Sequence, residues 1–158
     1  MEKMMKRIMI EENMIAYQHS GETEKNFGYN IYAFLDGQEA LILDTAYSKH
    51  LTEVIKDLSQ RNIKITAVLP SHYHPDHFEG IRMLEDVRIY GTQESLKTIE
   101  AFELTKEEYE IYAPTHILKD KEILTFGEHR FEFQLVKGHS ECSMFILIND
   151  KYLHIGDT

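Results

Sequence analysis

Leu69-Pro70-Ser71-His72-Tyr73-His74-Pro75-Asp76-His77 decides how this chain is read. Ile63 to Leu69 is short, apolar and rich in β-branched residues, and it stops at Pro70, so it predicts a buried strand. Ligand sites in α/β sheets gather at the carboxyl ends of such strands. His72 and His74 are two residues apart and point to the same side of an extended segment. Pro75 holds His74 extended and suits the first position of a helix, which puts Asp76 and His77 in the first helical turn. One bend thus delivers three imidazoles and a carboxylate. Neutral imidazole and carboxylate together suit zinc. The bend sends these groups to two sides, so the spacing suggests two adjacent metal ions. The alternative is a His-rich polar surface loop, which so dense a cluster makes a poor explanation.

Outward from this stretch the chain reads as alternating strands and helices. Ile8 to Tyr17 is expected to be a first strand. Tyr29 to Leu35 and Ala40 to Leu43 should pair as a hairpin across Asp36-Gly37. Ser48 is a candidate cap for a helix whose apolar stripe is Leu51, Val54, Ile55 and Leu58, with Asn62 as its stop. Strand, helix, strand in that order predicts a crossover and parallel neighbours. Phe78 to Asp86 is expected to be a short helix, and Val87 to Tyr90 a strand. Leu96, Ile99 and Phe102 mark another helix. Thr105 with Glu108 forms a capping box for one more, which Pro114 ends. Phe131, Phe133 and Leu135 alternate with polar residues as a half-buried strand. Cys142 to Ile148 and Tyr152 to Ile155 flank Asn149-Asp150-Lys151 as a second hairpin. The sum is an α/β layered protein with mixed sheets.

Composition narrows the partners. A net charge of −10 over 158 residues argues against a nucleic-acid ligand, because phosphate contacts need clustered Lys and Arg. The single cysteine, Cys142, excludes an internal disulfide and points to a reducing compartment. Met1 to Ile10 has no apolar run of signal-peptide or membrane-span length, so a cytoplasmic protein acting on a small molecule is expected.

The histidine run resembles the HxHxDH signature of the metallo-β-lactamase superfamily, and three other segments match in order. Leu41-Ile42-Leu43-Asp44-Thr45 looks like the family's first-strand aspartate motif. Lys137-Gly138-His139-Ser140 looks like its glycine-histidine segment, and His154-Ile155-Gly156-Asp157-Thr158 like its metal-bridging aspartate segment. The resemblance implies an αββα sandwich with the site between two sheets. It implies that His72, His74 and His139 hold one metal, and that Asp76 and His77 hold a second. Asp157 would bridge the two, with Asp44 orienting a ligand by hydrogen bonding. Zinc is the expected metal, two ions in the complete domain; iron and manganese also suit the ligand set. The implied reaction is hydrolysis by a hydroxide shared between the metals, with Asp76 steering or accepting the proton. An aspartate at 157 resembles the thioester, lactone and phosphoester hydrolases of the superfamily more than its β-lactamases. Rival readings are a nucleic-acid-processing member, a di-iron oxidoreductase, and a non-catalytic metal- or partner-binding fragment. The charge disfavours the first, and His74, where such relatives carry glutamate, disfavours the second.

The family normally supplies one more histidine well beyond the bridging aspartate. Residues 1–158 are therefore expected to form a single domain lacking the C-terminal part of the second half-sandwich. The expectation is that the natural polypeptide continues past Thr158 or that this fragment pairs with another chain to cover the gap, a homo-oligomer being one form of such pairing. His19, His50, His116, His129 and His154 match no ligand position and are expected on the surface or satisfied in the core. Cys142 is expected as a small buried hydrophobe, and Tyr73 as a packing residue. Glu103 to Tyr112 is read as a solvated helix.

Overall fold

The computed structural model describes residues 5–21, 28–136, 140 and 142–156. Among the described residues eleven strands fall into two sheets. The larger runs in chain order from β1 to β7: Met5–Glu11, Met14–His19, Tyr29–Asp36, Glu39–Leu43, Lys64–Leu69, Arg88–Gly91 and His116–Ile117. Its first four strands pair antiparallel and its last three add in parallel. The smaller sheet is an antiparallel meander of β8 (Ile123–Phe126), β9 (His129–Leu135), β10 (Met144–Ile148) and β11 (Tyr152–His154).

The parallel pairs require crossovers, and the helices supply them. Helix α1 (Ser48–Gln60) joins β4 to β5 and buries Leu51, Val54 and Leu58. Helix α2 (Pro75–Phe78) and a 3-10 turn at Glu79–Met83 follow β5. Helices α3 (Gln93–Glu100) and α4 (Lys106–Tyr112) lie between β6 and β7. One core cluster joins Leu51, Val54, Leu58, Ile99 and Tyr112 of these helices to Ile15, Ile31, Ile42 and Val68 on one face of the large sheet. A second joins Phe34, Leu41, Leu43 and Leu69 on its other face to Phe131, Phe133, Ile146 and Ile148 of the small sheet. Strand β4 therefore reads as a near-continuous apolar run because it is buried on both faces. The layering matches the expected α/β sandwich, with two sheets face to face.

Several local expectations need correction. Ile8 to Tyr17 is not one strand. Residues 12 and 13 turn the chain, so that β1 and β2 pair with Met9 opposite Ile15. The apolar residues on both sides of Glu12-Asn13 hid that turn. Ser48 does not cap α1; it is the first helical residue, and Tyr47 precedes it. The His50 side chain accepts the Tyr47 N–H through Nδ1 at 3.2 Å, and the Glu79 carboxylate accepts from Ser48 N–H at 3.1 Å and from its hydroxyl. An acceptor from a distant segment thus stands where a local cap was expected. Phe78 to Asp86 forms no continuous helix, only the end of α2 and the 3-10 turn. Phe102 lies beyond α3, and Cys142 lies before β10 rather than in it. Strand β8 was not expected; its hairpin partner β9 shows why it exists, since it pairs along the whole of Ile123–Phe126.

The Asp36-Gly37 hairpin, the Thr105–Glu108 capping box and the hairpin at 149–151 stand as read. Gly37, at φ 61°, takes the left-handed conformation that this turn demands.

Candidate metal centre

The site forms where β4 and β5 end side by side. Leu43 and Leu69 are register partners in this parallel pair, so the residues after each strand leave the sheet together. Asp44 donates its N–H to the Leu69 carbonyl at 3.0 Å and turns with φ 64°. A left-handed backbone at a non-glycine residue is strained and persists only where surroundings impose it. Here the next residues are stitched to the histidine segment. Thr45 donates its N–H and its hydroxyl to the His77 carbonyl, both at 3.1 Å, and Gly80 N–H reaches the Ala46 carbonyl at 3.2 Å. Gly80 lets the two segments approach this closely, since an added Cβ would stand 2.8 Å from Thr45 Cβ and one of them would have to shift.

Asp44 is buried, at 4% exposure, and the histidine segment supplies hydrogen bonds to its carboxylate. Oδ1 accepts the Ser71 N–H at 2.6 Å; Oδ2 accepts the Ser71 hydroxyl at 3.0 Å and His77 Nδ1–H at 2.9 Å. Burial opposes ionisation of this carboxyl, but the His77 charge and hydrogen bond, His154 and the Ser71 amide outweigh it. They hold Asp44 below the usual carboxylate range. An ionised Asp44 accepts the His77 Nδ1–H, so in the neutral imidazole, the form that can bind a metal, Nε2 is the lone-pair nitrogen. Ser71, whose hydroxyl is given to Asp44, stands 3.2 Å from His72 Nδ1 and accepts its N–H. The His72 lone pair is thereby also assigned to Nε2. Ser71 was missed in the sequence reading; its position immediately before the motif was the only signal.

The ring nitrogens converge. His72 Nε2 and His74 Nδ1 are 3.2 Å apart. Two donors on a tetrahedral centre with bonds of about 2.0–2.1 Å stand roughly 3.3 Å apart. His77 Nε2 faces Asp76 Oδ2 at 3.6 Å, and the His72 and His77 ring centres are 4.0 Å apart. The donor chemistry and spacing of His72 with His74, and of His77 with Asp76, therefore fit two neighbouring divalent ions. His139 and Asp157 lie outside the described residues. Among the described residues no three His, Cys, Asp or Glu side chains make a complete ligand set.

The neighbours of the motif do structural work. Tyr73 is fully buried, donates its N–H to Cys142 Sγ at 3.0 Å and its hydroxyl to the Tyr112 carbonyl at 2.8 Å. Its ring stacks on Phe78 at 5.2 Å. Cys142 is thus a packed acceptor. A cavity of about 260 Å³ opens beside the carboxylates, lined by Asp44, Asp76 and His77 on one side and by Tyr29, Tyr32 and His154 on another. His19, His50 and His129 are buried away from this cavity lining and His116 is exposed. His154 departs from expectation: it belongs to the cavity wall, with Nε2 3.9 Å from Asp44 Oδ2.

Comparison with known proteins gives the family. The metallo-beta-lactamase superfamily model matches residues 25–158. The chain belongs to that superfamily. A hydroxyacylglutathione hydrolase of Haemophilus ducreyi is 28% identical over 131 residues, 80% of this chain and 48% of that protein. One from Baumannia cicadellinicola is 40% identical over 62 residues, 37% of this chain and 23% of that protein. The chain thus spans at most about half the length of these curated relatives. Among solved structures, DIM-1 metallo-beta-lactamase superimposes with a TM-score of 0.77 at 16% identity, covering 98% of this chain and 70% of that one. Metallo-beta-lactamase IND-7 gives 0.78 at 16% identity, covering 95% and 69%. At such identity the superpositions speak for the fold alone.

Proposed function

We propose that this metallo-β-lactamase superfamily chain carries the metal-binding part of a zinc-dependent hydrolase of small thioesters, lactones or related esters. The observation that carries the reading is the Asp44–Ser71 network. It assigns the protons of His72 and His77 to Nδ1, so that Nε2 of each is a lone-pair donor. A structural histidine cluster has no need of uniformly directed lone pairs, whereas a metal centre does. His72, His74 and His139 would hold one ion, Asp76 and His77 the other, and Asp157 both. When bound, zinc supplies Lewis-acid polarisation of the scissile carbonyl and lowers the pKa of water at the site.

The chain's own residues do the rest. Asp44 and Ser71 keep the imidazoles oriented. Asp76, about a third exposed at its carboxylate, lines the cavity and is placed to take a proton there. Tyr29 and Tyr32 offer an aromatic wall to the acyl portion of a small substrate. The thioester preference follows the hydroxyacylglutathione hydrolases that the chain resembles. Among the described residues no helix is long and apolar enough to cross a membrane. With one buried thiol, a reducing cytoplasmic setting is the proposed location.

The test is zinc content together with hydrolysis of a thioester and lactone panel by the full-length natural polypeptide. Two zinc ions per chain and turnover of at least one thioester are expected. Asp76→Ala should lower kcat by about 10²-fold or more, the usual weight of a positioned proton acceptor. A wild-type protein that takes up no zinc, or full activity in Asp76→Ala, would reject this function.

A further inference from the structure

His154 sits at the end of β11, register-paired with Ile146 of β10, so its backbone belongs to the small sheet. Its Nδ1 accepts the Gly156 N–H at 3.3 Å. A neutral imidazole that accepts at Nδ1 carries its proton on Nε2. That nitrogen faces Asp44 Oδ2 at 3.9 Å, longer than a direct hydrogen bond, so the attraction is electrostatic. The ring stands edge-on to Tyr32 at 5.7 Å, which limits its rotation. Asp44 Oδ2 also receives His77 Nδ1–H. One carboxylate oxygen is thus faced by two imidazoles, one following β5 of the large sheet and one on β11 of the small sheet.

The turn beyond His154 is close to the motif as well. Gly156 has φ 62°, and a Cβ built there would lie 3.5 Å from Ser71 Oγ and 3.8 Å from His72 Nδ1. Elsewhere the two sheets meet mainly through apolar side chains such as Phe34, Leu43, Phe131 and Ile146, with His129 Nε2 3.2 Å from the Leu35 carbonyl oxygen and the Tyr152 hydroxyl 3.1 Å from Glu11 as further polar contacts. Apolar contact is non-directional and sets the separation of sheets better than their lateral placement. His154 adds a polar tie at the end of the small sheet that lies beside the imidazoles.

We infer that His154 is a positioning residue that ties the end of the small sheet to the Asp44 carboxylate and so holds Gly156 beside Ser71 and the His72 imidazole. The inference rests on reading the site as a zinc centre.

The test compares wild type, His154→Phe and His154→Asn in the full natural polypeptide. Phenylalanine keeps the packing on Tyr32 but loses both polar contacts. Asparagine can still accept the Gly156 N–H through Oδ1, as in an Asx turn, but is too short to approach Asp44. Zinc affinity is read by competition with a chromogenic chelator, and site geometry by the visible absorption of the cobalt-substituted protein. Thermal melts and kcat and KM on a thioester accompany them. Both variants should bind the weaker zinc about tenfold less tightly, the usual effect of losing an outer partner of a metal site. Both should show an altered cobalt spectrum and a lower kcat, with KM little changed. Unaltered zinc affinity and cobalt spectrum in His154→Phe overturn the inference, even if its melting temperature falls. Wild-type behaviour of His154→Asn also overturns it, because the Asp44 tie would then be idle. A wild type that binds neither zinc nor cobalt overturns the reading of the site itself.

Discussion

Replacing Asp44 with asparagine separates the charge of this carboxylate from its shape. Asparagine keeps the volume and one oxygen. That oxygen can continue to accept the Ser71 N–H, now met by Oδ1 at 2.6 Å. The other side-chain atom becomes an NH2 group facing His77 Nδ1, now 2.9 Å from Oδ2. Two donors cannot face each other, so His77 must move its proton to Nε2. That is the nitrogen directed at Asp76, and once protonated it cannot ligate a metal. The Ser71 hydroxyl must also turn, since its acceptor at 3.0 Å is gone.

The stability cost follows from exchanging charge-assisted bonds for neutral ones. Bonds to charged groups contribute about 1.5–3 kcal/mol and neutral ones about 1, so Asp44→Asn should cost roughly 1–2 kcal/mol in urea unfolding. The effect on zinc should be larger in proportion, a loss of about 10–100-fold in affinity for the ion held by His77. Chelator competition measures the affinity, and 15N NMR of the imidazoles reports the His77 tautomer. Zinc affinity within about threefold of wild type, under 1 kcal/mol, together with an unmoved His77 proton, would refute the reasoning.

Asp44 also predicts an acid limb of stability. Its folded pKa lies below its unfolded value of about 3.9, so its contribution is fully present above that value. The contribution is lost as pH falls through the folded pKa. Urea unfolding between about pH 5 and pH 2.5 should show a steeper loss in wild type than in Asp44→Asn; identical slopes would contradict the assignment. At Gly80, alanine would bring a Cβ within 3.0 Å of the Thr45 carbonyl oxygen and 2.8 Å of its Cβ. Gly80→Ala should therefore cost about 1–3 kcal/mol by forced displacement, seen as a lower urea midpoint, while an unchanged midpoint would show that the Thr45 segment yields freely.

Much of this protein was legible in residue order alone. Period-two and apolar-run patterns mark β3, β4, β5 and β9, because burial on one face or two writes itself into the side chains. The spacing from His72 to His77 prescribes a strand end, a proline-opened turn and donors on two sides of a bend, all of which are local geometry. Local rules fail where the partner of a group lies far away in sequence. Ser48 looks like a cap, but Glu79, 31 residues later, supplies the acceptor. Residues 12 and 13 turn without a glycine or proline to announce it. Ser71 looks ordinary until Asp44, 27 residues earlier, is brought within 3.0 Å of its hydroxyl. His154 matches no ligand position, and only the docking of the small sheet on the large one carries its ring to the same carboxylate. Sequence determines the identity of donors and the local path of the chain, because dihedral preference and burial period act between near neighbours. Tertiary structure alone decides which nitrogen of each imidazole holds the proton, because that is settled by an acceptor delivered from another strand.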